Sequence, residues 1–167
     1  TGPITSTTTY NVNAVAQPTN YALNLDGTND YLNLGTNNRS ITNAITVSAK
    51  VRTTITGTSQ FIVDKYLSAG IGYYLFIDAT GKASFQGRDV AGGIKSSGLS
   101  TTIVADNQWH EITGVVRNTG WEIWVDGVME SSGAYSLGGT GLGTTAALLV
   151  GNFSTGFSPA DVDRVAI

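Results

Sequence analysis

"WHEITGVVRNTGWEIWVDG", residues 109–127, decides how this chain folds. It holds the single histidine, all three tryptophans and two of the three glutamates. Alternation runs through both arms. Ile112, Gly114 and Val116 fall on one face with Ile123 and Val125, while Trp109, Glu111, Thr113, Val115, Arg117, Glu122, Trp124 and Asp126 take the other. A period of two on each side of a Thr-Gly reversal predicts an antiparallel hairpin with one face on a core. Setting Asn118 opposite Trp121 pairs Arg117 with Glu122, Val116 with Ile123 and Gly114 with Val125. A slip of one residue would put Val116 against Glu122 and mix the faces, which sheets resist. Arg117 and Glu122 are then a cross-strand ion pair of about 0.2–1 kcal/mol.

Outward from the hairpin the same period recurs. In "ITVSAKVR" (45–52), Ile45, Val47, Ala49 and Val51 alternate with Thr46, Ser48, Lys50 and Arg52. "QFIVDK", "YYLFID", "KASFQG", "ALLVG" and "VDRVAI" read as further strands between Gly-, Asn-, Asp- and Ser-rich turns, and no segment carries a helical period. Ten to twelve short strands in one domain require two packed sheets. Residues 1–20 are expected to be a Thr-rich linker or edge strand, and residues 21–167 a single β-sandwich domain. The closing "DVDRVAI" is expected to pair near the first strand, and the glycine-rich run 136–145 to form a long loop.

Composition narrows the function. Charged residues are only 13% of the chain, the net charge is −3, and nine Lys plus Arg leave no basic face for nucleic acid or an anionic membrane. Without cysteine there is no disulfide, thiol chemistry or Cys-based zinc site. No apolar run is long enough for a membrane-spanning helix. In the expected register Glu111 and Glu122 lie roughly 20 Å apart, beyond a glycosidase pair. Glu111 and Asp126 remain as diagonal neighbours, but Asp126-Gly127 is a turn dipeptide. His110 falls beside Ile112 on the core face, with no nucleophile or second histidine to recruit it.

The ordered segments "ALNLDGTNDYLNLG" (22–35), "ITVSAKVR", "GYYLFI" (72–77), "NQWHEI" (107–112), "WVDG" (124–127) and "VDRVAI" (162–167) resemble the laminin-G-like, concanavalin A-like lectin-glucanase superfamily. The likeness is especially to bacterial LamG-type modules. It implies an all-β jelly-roll sandwich of two antiparallel sheets, carbohydrate binding or adhesion, and a structural calcium ion. Asp26, Gly27, Asp30 and Asp163 match the segments that hold calcium in the family, and supply the oxygen ligands calcium needs. Lys50 stands where the family commonly has Trp, and Arg164 where it has Glu.

Neutral sugars are held by aromatic faces and planar hydrogen-bonding groups. Trp109, Trp124, Trp121 and Tyr74 are the expected ligand platform, with Trp109 and Trp124 foremost because they lie opposite the core row. The expectation is a non-catalytic carbohydrate-binding or adhesion module of a larger extracellular or cell-surface protein, monomeric, with a polysaccharide, glycan or protein receptor as partner. A glycoside hydrolase or polysaccharide lyase on the same fold, and a structural spacer, are the alternatives.

Overall fold

Period-two alternation governs the described part of the chain. The computed structural model describes residues 4–5, 22–36, 44–67, 70–89, 93–117, 119–134, 142–153 and 156–167, which form strands and no helix. The strands are β1 (Ile4–Thr5), β2 (Leu23–Leu25), β3 (Leu32–Asn33), β4 (Ile45–Arg52), β5 (Gln60–Leu67), β6 (Ile71–Ile77), β7 (Lys82–Arg88) and β8 (Ile94–Ile103). They continue as β9 (His110–Arg117), β10 (Gly120–Val125), β11 (Val128–Ala134), β12 (Leu149–Val150), β13 (Asn152–Phe153), β14 (Gly156–Phe157) and β15 (Ala160–Ala166). Apart from Ile4 and Thr5, the expected linker lies outside the described residues, as does most of the run 136–145.

Two sheets face each other. One has the order β1-β3-β12-β5-β6-β7-β8, the other β11-β10-β9-β4-β15-β2, and a small ribbon joins β13 to β14. Pairing is antiparallel except between β1 and β3. The closing strand pairs with the early strand β2, as expected, and also with β4. The inward rows meet in a core that includes Val47, Val51, Leu75, Phe85, Ile112 and Trp121. This is a two-sheet antiparallel sandwich of the jelly-roll kind.

The hairpin departs from its expected register without exchanging its faces. Arg117 pairs with Gly120, Val116 with Trp121 and Ile123 with Gly114. The chain therefore reverses one residue earlier, between Arg117 and Gly120, and each partner moves by two. An even shift preserves parity, so Ile112, Gly114, Val116, Ile123 and Val125 are all buried. Arg117 and Glu122 still meet, Nη1 to Oε1 at 2.7 Å, as diagonal rather than opposite neighbours. Glu122 now faces Val115, which brings it to about 13 Å from Glu111 along the ladder.

Gly114 is dictated by packing. A Cβ there would stand 2.2 Å from Phe85 Cγ across the core. Gly114→Ala is expected to cost about 1–3 kcal/mol through overpacking, read as a lower urea midpoint; an unchanged midpoint would mean the sheets are not this close.

Candidate functional site

The outward face of the six-stranded sheet gathers most of the chemistry. On β4, Lys50 and Arg52 point away from the buried Ala49 and Val51. Trp109, half-buried just before β9, is flanked by both cations: Lys50 Nζ lies 5.6 Å and Arg52 Cζ 5.1 Å from its ring centroid. These are cation–π distances, and they hold the indole on this face. Arg52 donates from Nε (3.0 Å) and Nη2 (2.6 Å) to Asp161 Oδ2, while Asn24 Nδ2 donates to Asp161 Oδ1 at 2.7 Å. The Asn24 and Arg52 hydrogen bonds hold the Asp161 carboxyl below its usual pKa. Arg52, which flanks the Trp109 ring, also lines a depression of about 210 Å³ together with Asn24, Asn107, Pro159 and Asp161.

Trp124 lies farther along the same face. Its indole N–H donates to Glu122 Oε2 at 2.9 Å, and Glu122 Oε1 accepts from Arg117. Trp124 pairs with Thr113, four residues from Trp109, so the two indoles are rooted roughly 13–14 Å apart.

Below Trp109, His110 is clamped. Its Nδ1 lies 2.7 Å from Asp126 Oδ2 and its Nε2 3.1 Å from Asp106 Oδ1. Burial alone lowers the histidine pKa, but the hydrogen bonds to Asp126 and Asp106 outweigh it and the net shift is upward. Asp126 Oδ1 also accepts from the Glu111 backbone N–H at 2.8 Å, so both its oxygens are engaged. Asp126 (φ 50°) and Gly127 (φ 81°) make the left-handed turn into β11. The Glu111–Asp126 pair is thus a turn clamp.

Tyr74 is brought together with other aromatics, but on the opposite sheet. It stands outward on β6, 5.6 Å from Tyr66 and 5.7 Å from Phe153, whose ring stacks on Phe61 at 4.0 Å. Its hydroxyl donates to Gln86 at 3.1 Å. Beside it in register is Asp64, 2% exposed, whose Oδ1 has no hydrogen-bond partner. Burial pushes that carboxyl up to about 7 against the opposing pull of the Tyr66 backbone hydrogen bond.

Two expectations are corrected. Trp121 is fully buried, 5.1 Å from the Phe85 ring, and cannot form part of a ligand platform. Its parity with Ile123 and Val125 sends it inward. Nor do Asp26, Gly27, Asp30 and Asp163 assemble as calcium ligands. Pairing of Asn24 with Asp161 sets Asp26 and Asp163 four rungs apart, about 13 Å. Asp26 accepts the Thr28 N–H at 2.7 Å as an Asx turn, and Asp163 faces Lys50 at 3.7 Å. Gly27 serves packing, since a Cβ there would meet the Pro159 ring at 2.8 Å. Among the described residues no three acidic or histidine side chains form a metal cluster.

Arg52, Asn24, Asn107 and Asp161 were not singled out by sequence reasoning. Alternation marks Arg52 as outward, but only the adjacency of β2, β15 and β4 brings these groups together.

A family model described as Concanavalin A-like lectin/glucanases superfamily (Laminin_G_3) matches residues 26–167. A search of curated proteins finds no match. Among solved structures, domains LG4-5 of the mouse laminin alpha1 chain align with a TM-score of 0.68 at 15% identity, over 86% of this chain and 39% of that one. The binding domain of Paraclostridial Mosquitocidal Protein 1 gives 0.66 at 16% identity, over 86% and 39%. The CBM40 of a Ruminococcus gnavus IT-sialidase, bound to alpha2,3 sialyllactose, gives 0.62 at 12% identity, over 86% and 89%. This chain thus spans about two fifths of the laminin and toxin chains, and at these identities the likeness is one of fold.

Proposed function

The chain belongs to the concanavalin A-like lectin/glucanase superfamily, and from that premise we propose that it is a non-catalytic carbohydrate-binding module acting through the outward face of its six-stranded sheet. The observation that carries this reading is the half-buried Trp109, held by Lys50 and by Arg52, the latter also lining a depression with Asn24, Asn107 and Asp161. An indole supplies an apolar face for the C–H side of a pyranose, and amide and carboxylate groups meet its hydroxyls. Fixed side chains lose little entropy on binding, which favours affinity from a shallow site. The CBM40 neighbour with sialyllactose supports glycan as the ligand class. In this reading the module is monomeric and serves adhesion or substrate capture for a larger protein at or outside the cell surface.

A glycan array followed by calorimetry on the retained sugars tests the proposal. Trp109→Ala is expected to weaken binding at least tenfold, a loss of about 1.4 kcal/mol, with little change in melting temperature. If no glycan is retained, or if the alanine variant binds as tightly as the parent, the reading fails.

A further inference from the structure

The two outward tryptophans and the charges between them specify more than a sugar. We infer that this face takes a neutral, linear oligosaccharide lying across both Trp109 and Trp124; the inference rests on the carbohydrate-binding reading and adds the ligand's length and charge. Length follows from the register. With Trp124 opposite Thr113, the indoles are rooted roughly 13–14 Å apart, longer than one pyranose ring and within reach of a short chain. The floor between them is a row of Ser48 and Thr113 and a row of Lys50 and Glu111, pairs set by the β4–β9 ladder. Small hydroxyl-bearing residues keep that floor low, and no described strand crosses it.

Charge follows from the ion pairs. Lys50 faces Asp163, Arg52 holds Asp161 and Arg117 holds Glu122. Arg164, paired with Lys50 in the ladder, brings a fourth cation, and Glu111 a fourth anion. Four cations against four anions, with Asp126 a further carboxylate at the Trp109 end of the face, leave no positive excess to select an acidic sugar. The carboxylate of an acidic ligand would have to compete with Asp161 for Arg52, with Glu122 for Arg117 or with Asp163 for Lys50. Arg164, the one cation of the four without an ion pair among the described residues, lies on the far side of Lys50 from Glu111. Glu111 makes no ion pair among the described residues, and its carboxylate is free to accept hydroxyl groups midway between the tryptophans.

Calorimetry with neutral glucose- and galactose-based chains, from monosaccharide to hexasaccharide, and with the same chains ending in sialic acid, tests both parts. Affinity is expected to rise at least tenfold between the monosaccharide and the length that reaches Trp124, then level off. Trp124→Ala is expected to abolish that rise, with thermal melting confirming its fold, and a terminal sialic acid to add nothing. A monosaccharide bound as tightly as the hexasaccharide, an unaltered length dependence in Trp124→Ala, or tenfold tighter binding of the acidic chains would each overturn the inference while leaving carbohydrate binding intact. Failure of every chain, neutral or acidic, would overturn the carbohydrate-binding reading itself and the inference with it.

Discussion

Trp121→Ala is expected to destabilise the protein by about 3–5 kcal/mol and to lower its melting temperature by on the order of 10 °C. Trp121 is fully buried, packs on Phe85 and lies close against the backbone at Gly87, where a Cβ would meet its ring at 2.9 Å. Truncation would open a cavity inside the sandwich, between β10 and β7, where both sheets contribute walls. Trp124, three residues along the same strand, has the opposite parity and a half-exposed setting. Its alanine variant is expected to lose no more than about 1 kcal/mol. Chemical denaturation of the two variants checks this contrast directly. Equal losses would mean that the assignment of faces in the hairpin is wrong.

The second large effect concerns Asp64 and pH. Its carboxyl is raised from 3.8 to about 7 by burial, and one oxygen lacks a hydrogen-bond partner. A carboxyl raised on folding binds its proton more tightly in the native state. Stability contributed by that proton is present at low pH and is lost as pH climbs from about 4 towards 7, because the unfolded chain ionises first. Above that window the ionised carboxylate costs up to about 4 kcal/mol. Asp64→Asn is expected to remove this dependence, raising stability at pH 8 by roughly 2–4 kcal/mol and leaving it nearly unchanged near pH 4. Urea unfolding at the two pH values measures the difference. A variant no more stable than the parent at pH 8 would show that Asp64 meets a partner or solvent in solution.

Where one face is buried and the other wet, the sequence was easy to read. Strand β4 runs over the residues its alternation marks, and the hairpin kept its faces through a two-residue change of register. Strands β8 and β11 were not recognised, for a physical reason. Both are edge strands, rich in Ser, Gly and Thr, and side chains do much of their pairing. Ser97 and Ser100 accept the Phe85 and Ala83 backbone N–H groups at irregularities in the β7–β8 ladder. Glu130 on β11 accepts the N–H groups of Thr101 and Thr102 across the gap between the sheets. Such pairing leaves no apolar period to find.

The site divides in the same way. Parity alone sends Trp109 and Trp124 outward, and it also sends Trp121 inward, so the inclusion of Trp121 in the platform rested on residue type against its own alternation. The Asn24–Asp161–Arg52 cluster spans 137 residues of sequence and exists because β15 lies between β2 and β4, a matter of sheet order. Asp26 and Asp163 do sit on neighbouring segments, as the family resemblance implies. The ladder offsets them by four rungs, a distance that spacing along the chain does not encode.

The chain's three tryptophans allow the central claim to be tested in one spectrum. Each indole N–H gives one cross-peak in a proton–nitrogen correlation spectrum, and the three sit in three settings: Trp109 against Lys50 and Arg52, Trp124 farther along the face, and Trp121 in the core. On titration with a neutral oligosaccharide retained on an array, the Trp109 and Trp124 peaks are predicted to shift in a saturable way while Trp121 stays fixed. Saturable binding that leaves both outward indoles unmoved would contradict the account.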